Sequence, residues 1–165
     1  MTASWWRQES PIGVLTVLAG DFGVQRIELG SADLDVDALD AVDAVEARDD
    51  EVAIEVDEYF DGRRRRFTMP VDLSTVEAPF PRAVYEALCR DVRFGETVSY
   101  GELAQMAGRP GAARAVGNAM SRNPVPIVVP CHRVVASGGR IGGYGPSGVP
   151  TKRFLLALEG IELPA

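Results

Sequence analysis

The sequence predicts an α+β chain in two modules: a small antiparallel sheet over residues 1–76, then a mainly helical module over 77–165 that contains a helix-turn-helix. Three observations predict this. Short alternating apolar segments separated by Pro/Gly turns fill the first thirty residues, whereas helical spacing and helix-start signals dominate after Phe80. The charge also changes sign along the chain. Residues 1–80 carry 7 Lys+Arg against 18 Asp+Glu, and residues 81–165 carry 10 against 6, giving −11 and +4 of a total of −7. Such a split marks separate modules and directs any polyanion to the second.

Taken in order, residues 5–18 read as a hairpin turning at Ser10-Pro11-Ile12-Gly13, and Val24–Leu29 as a third strand after the turn Gly20–Gly23. The acidic stretch 31–51 is expected to be loop plus a short surface helix. Val52–Phe60 has apolar spacing for a helix packed on the sheet. The four arginines Arg63–Arg66 invite a nucleic-acid reading, but a solvated turn after Gly62 facing the acidic segment is the preferred account of them. Phe67–Leu73 is expected to return to the sheet as a strand, and Ser74–Phe80 to be a linker. Pro81 then opens a helix through Val92, with Val84, Leu88 and Val92 on one face and Cys89 taken as a small core residue.

Ser99-Tyr-Gly-Glu102 is a capping box, since the serine can accept from the third helical N–H while the glutamate reaches back. It starts a helix over Tyr100–Met106. A glycine-bearing turn leads to a second helix over Ala112–Met120, and together they have the shape of a helix-turn-helix. The second helix is nearly all small residues, with Arg114 its one charge, so its backbone can approach a surface closely. A glycine-rich loop follows residue 136 and carries Tyr144. A last helix spans Lys152–Leu158.

The stretch Pro124–Val135 carries the chemistry. An apolar run, read as a buried strand, ends on Pro130 and presents Cys131, followed at once by His132, the only histidine in 165 residues. A thiol becomes a nucleophile when its proton is removed, and a neighbouring imidazole is a usual base. Adjacent residues on a strand point to opposite faces, so the chain must turn at Pro130, or a water must bridge the pair. Glu102 and Glu159 are the candidate carboxylates to orient the imidazole.

Composition narrows the classes. No apolar run is long enough to span a bilayer, no signal peptide opens the chain, and two distant cysteines argue for free thiols in a reducing, cytoplasmic compartment. One histidine and two cysteines lack the tight ligand pairs of a structural zinc site, so no metal or cofactor is expected.

Asn123–Val135 with Pro130-Cys-His-Arg133, together with Gly95–Ala104, Ala112–Gly117 and Leu155–Glu159, closely resembles the O6-alkylguanine-DNA alkyltransferases, also called methylated-DNA–protein-cysteine methyltransferases. The match runs from about Phe80 to Gly160; the first 73 residues match in general character only. The resemblance implies a ribonuclease-H-like amino-terminal domain and a winged-helix-like carboxy-terminal one. It implies minor-groove binding of double-stranded DNA bearing O6-alkylguanine, and also O4-alkylthymine, by a monomer that can cluster on DNA. Arg114 would fill the space of an extruded base, with Tyr100 helping to rotate it, and Ala112, Ala113, Ala115, Gly117 and Arg122 would lie at the DNA. Cys131 would accept the alkyl group, with His132 as base, Glu159 orienting it, Asn123 bracing the turn and Tyr100 protonating the leaving guanine. Val134, Tyr144, Gly145 and Pro126 would line the pocket for the flipped base. The thioether product would be stable, so each molecule would act once.

Two departures from the family pattern stand out: Tyr85, where tryptophan is frequent, and Pro146 in the pocket loop. Three rival readings make distinct demands. Alkyltransferase-like lesion binders carry tryptophan at the acceptor position, which Cys131 contradicts. A thiol hydrolase needs an oxyanion hole and turns over. A pure DNA-binding regulator would not need Cys131.

Overall fold

The computed structural model describes residues 2–30, 39, 42–144 and 148–164. Residues 1–75 and 76–165 form two compact units.

In the first unit, β1 (Ser4–Gln8), β2 (Leu15–Gly20), β3 (Gly23–Leu29) and β4 (Val45–Glu46) form one sheet in the order β3-β2-β1-β4. The β1–β2 and β2–β3 pairs are antiparallel, while β4 runs parallel to β1. The hairpin turns where expected: Ser10 and Gly13 exchange backbone hydrogen bonds of 3.0 Å, with Gly13 at φ +105°. Gly23 is required for a different reason. A Cβ there would lie 2.4 Å from the Pro70 carbonyl oxygen, which accepts from the Val24 N–H at 2.9 Å.

That contact corrects one expectation. Residues 67–73 dock on β3 through a single bridge, Val24 to Val71, rather than as a strand. Pro70 has no N–H to extend a ladder. α1 (Asp50–Phe60) begins two residues before the expected start because Asp49 caps it, its side chain accepting from the N–H groups of Glu51 and Val52. It buries Val52, Ala53, Val56 and Tyr59, while the strands bury Trp6, Leu15, Val17, Val24 and Ile27.

The arginine run is a surface turn. Arg63 pairs with Asp61 at 2.8 Å, and Arg64 lies 3.4 Å from Glu58 and 3.7 Å from Glu55. These acids lie in and next to α1. Of the stretch 31–51, expected to be loop plus a short surface helix, residues 31–38, 40 and 41 lie outside the described residues. The two-residue β4 was too short to show a period in sequence.

In the second unit, α2 (Pro79–Asp91) starts two residues earlier than read and buries Val84 and Leu88, with Val92 following. β5 (Val98–Ser99) leads directly into α3 (Tyr100–Met106), whose capping box is complete: Ser99 Oγ accepts from the Glu102 N–H at 3.1 Å, and Glu102 accepts from the Ser99 N–H at 3.2 Å. α4 (Ala113–Ser121) follows the turn. β6 (Val134–Val135) pairs in parallel with β5, Val98 opposite Val134 and Ser99 opposite Val135. This pairing sets the start of α3 beside the residues that follow Cys131. α5 (Gly148–Leu158) is one turn longer at its start than expected. Among the described residues, no helix is long and apolar enough to cross a membrane.

Candidate active site and nucleic-acid interface

Between α4 and β6 the chain does not form the buried strand that its apolar run predicted. Residues 125–129 fold into a turn, the Val129 N–H donating to the Val125 carbonyl at 2.9 Å, with an isolated bridge between Pro126 and Val129. Prolines at 124 and 126 supply no N–H groups for a ladder, which explains why β-branched content alone misled. Asn123 holds this turn. Its Oδ1 accepts from the Val125 N–H at 3.0 Å, and its Nδ2 donates to the Val129 carbonyl at 2.8 Å. Ile127 is buried at φ +76°, a conformation that a β-branched residue adopts only when its surroundings impose it.

At Pro130 (φ −80°, ψ 64°) the chain turns into a single 3-10 turn, Cys131–Arg133, closed by the Arg133 N–H on the Pro130 carbonyl at 2.9 Å. The turn required for His132 to serve Cys131 is therefore present. Cys131 is only 6% exposed and His132 fully buried.

Of the two candidate carboxylates, Glu159 orients the imidazole, its Oε2 lying 2.5 Å from His132 Nε2, while Glu102 is committed to the capping box. Glu159 also accepts from Arg133 Nε at 2.8 Å and from the Gly95 N–H at 3.2 Å, and Arg133 donates to the Val92 carbonyl at 2.8 Å. Burial pushes the Glu159 carboxyl up, but hydrogen bonds and charge from His132 and Arg133 outweigh it and hold it at about 2. Burial pushes the imidazole down, against Glu159 pulling it up, so it is neutral where a base is needed.

The thiol itself is pushed up by burial, and hydrogen bonds from Asn123 and Tyr144 and the ammonium of Lys152 pull it back. Lys152 is fully buried; its Nζ donates to the carbonyls of Val134 at 2.6 Å and Gly143 at 3.1 Å. Burial lowers it to about 8, with the Cys131 sulfur acting the other way. The Tyr100 phenol is raised by burial and then by the same sulfur.

Lys152 and Arg133 are the buried cations of the candidate site that sequence reading underweighted. A signal for the first existed: Lys152, Leu155, Leu156 and Glu159 fall at i, i+3, i+4 and i+7, the buried stripe of α5, so both charges had to be paired inside.

A profile described as 6-O-methylguanine DNA methyltransferase, DNA binding domain, matches residues 79–161. The methylated-DNA–protein-cysteine methyltransferase of Methanosarcina acetivorans is 37% identical over 152 residues, covering 92% of this chain and 95% of that protein. The chain belongs to the methylated-DNA–protein-cysteine methyltransferase family. The crystal structure of Mycobacterium tuberculosis O6-methylguanine methyltransferase superimposes with a TM-score of 0.84 at 34% identity, over 99% of this chain and 96% of that one. Mycobacterium tuberculosis OGT in complex with DNA gives 0.80 at 35% identity, over 94% and 92%.

Within this family member, Asn123, Tyr100, Tyr144 and Lys152 lie in the electrostatic neighbourhood of the Cys131 sulfur, while Glu159 meets His132. Val134 is buried, and its carbonyl, expected to face a base, accepts from Lys152. Pro126 is half-buried in the preceding turn, whereas Gly145 and Pro146 lie outside the described residues. On the helix pair, Arg114 and Arg122 are exposed, and Ala112, Ala113, Ala115 and Gly117 are partly exposed beside buried Val116 and Ala119. Cys89 corrects another expectation: it is exposed rather than in the core, its thiol donating to the Val128 carbonyl at 3.8 Å. Among the described residues, no group of three or more His, Cys, Asp or Glu side chains could hold a metal ion.

Proposed function

We propose that this chain repairs DNA by direct reversal, moving the alkyl group of O6-alkylguanine, and of O4-alkylthymine, from duplex DNA onto Cys131, one group per molecule. The observation that carries this reading is the thiol: almost inaccessible, in the electrostatic reach of Asn123, Tyr144 and the buried ammonium of Lys152, and next in the chain to an imidazole held by Glu159. A sulfur so enclosed suits a flipped base delivered into a pocket, since an alkylated oxygen within a stacked duplex is out of reach.

With Nε2–H given to Glu159, the other imidazole nitrogen is the basic one, and it takes the thiol proton directly or through a water. The thiolate attacks the alkyl carbon; the S–C bond forms as the C–O bond breaks, and its electron pair passes to the guanine. Tyr100 returns a proton to the leaving base. The product is a thioether, which water does not cleave, so the protein is consumed. Arg114 takes the place of the extruded base, and the small residues of α4 allow close approach in the minor groove. The protein acts as a monomer that can cluster along DNA.

Intact mass after incubation with an O6-methylguanine duplex tests this. Wild type gains one methyl group, about 14 Da, saturating at one per protein, and Cys131→Ser gains nothing. Tight lesion binding without a mass gain assigns the chain to the lesion binders instead.

A further inference from the structure

Tyr85 occupies the middle of α2 and is essentially inaccessible, yet its hydroxyl is spent on one bond: it donates to the Ala119 carbonyl in the last turn of α4 at 2.6 Å. One helical turn further along the same face, Cys89 reaches the Val128 carbonyl. α2 thus touches both ends of the segment joining the small-residue helix to the acceptor cysteine. That segment needs outside support. Residues 122–130 contain no helix or strand beyond the Pro126–Val129 bridge, and they include buried Ile127 in the left-handed region. A peptide in that state does not set its own length. Asn123 secures the turn internally, and the Arg122 and Asn123 N–H groups donate to the Ala119 and Met120 carbonyls at 3.1 and 3.3 Å, so these bonds all lie within one stretch of chain. The Tyr85 hydroxyl ties that stretch to a separate helix.

We propose that Tyr85 is a positioning residue whose hydroxyl fixes α4 relative to Cys131, so that the helix seated on DNA delivers the flipped base within reach of the sulfur. This rests on the alkyl-transfer reading above. Burial pushes the phenol up to about 12, and the Cys131 sulfur adds to the rise, so the hydroxyl remains a donor at neutral pH and lies within the field of the sulfur it registers. The logic is that of orientation: a displacement on the order of 1 Å, far from the bonds that break, costs up to about 100-fold in rate.

The test compares two electrophiles in wild type and Tyr85→Phe, by intact mass against time. One is a duplex carrying O6-methylguanine at saturating protein, which needs α4 and the pocket in register. The other is free O6-benzylguanine, whose activated benzylic carbon reaches Cys131 without α4. Expected is a fall of about tenfold or more on the duplex with the free-base rate within about twofold of wild type. Equal rates on both overturn the proposal. So does a parallel loss on both, through unfolding or a collapsed pocket, because the hydroxyl then supports the core rather than the helix position. Wild type inert toward both electrophiles would instead refute the alkyl-transfer reading, a distinct result.

Discussion

At the scale of the residue, Glu159 does the most. Fully enclosed, it accepts from His132, Arg133 and the Gly95 N–H, which is why its carboxyl sits at about 2 instead of 4.5. Its folded pKa is depressed, so its contribution is present above about pH 4.5 and is lost as pH falls toward 2; the scale is roughly 3 kcal/mol. His132, also depressed by burial, loses its contribution in the same direction, starting below its ordinary 6.5. Glu159→Gln leaves Arg133 as a buried cation short of its partner, and a loss of about 3–5 kcal/mol at pH 7 is expected. Thermal melts from pH 7 to pH 2 check both statements: the variant should melt lower at pH 7 and lose less on acidification. A wild-type melting point with an unchanged acid slope would refute the assignment.

At the scale of the element, α4 is a helix with little side chain to spare. Val116 and Ala119 anchor it, and Gly117 is a helical glycine at which an added Cβ would meet nothing within 4 Å. Stability alone would favour alanine there by roughly 0.5–1 kcal/mol. On the proposed reading, the glycine lets DNA approach the helix backbone closely. Gly117→Ala is expected to raise the melting temperature slightly, and Gly117→Leu to fold normally while weakening binding to duplex DNA by about tenfold or more, since a bulky side chain holds the backbone off the groove. Fluorescence anisotropy with a labelled duplex reads this, and unweakened binding by the leucine variant would remove α4 from the interface.

At the scale of the whole molecule, charge is unevenly shared. The first 80 residues carry −11 and the remainder +4, while the proposed partner is a polyanion. On the proposed reading, the excess acid is expected to lower affinity for every sequence alike and so to favour release from undamaged DNA. Asp43, Glu46 and Glu51 are exposed, so Asp43→Asn with Glu46→Gln and Glu51→Gln is expected to tighten binding to unmodified duplex at fixed low salt, with the gain fading as salt rises. Affinity equal to wild type across the salt series would show that these charges are too distant or too screened to matter.

The sequence alone determined the elements whose signals are local. The capping box at Ser99, the Ser10–Gly13 turn, the apolar stripe of α2 and the small-residue helix are each specified within a few residues, and the structure contains each of them. Local signals also favoured wrong answers where backbone hydrogen bonding overruled side-chain type. The apolar run before Cys131 became a turn because its prolines cannot join a ladder, and residues 67–73 reached the sheet by one bridge. The site divides the same way. Cys131 and His132 are adjacent in sequence, so the candidate pair was legible, and Glu159 was one of two carboxylates open to choice. Tertiary structure decided between those two, and it alone gave Lys152 and Tyr85 their partners. Each meets its partner across a long loop or between helices, where packing rather than chain proximity fixes what a buried polar group can reach.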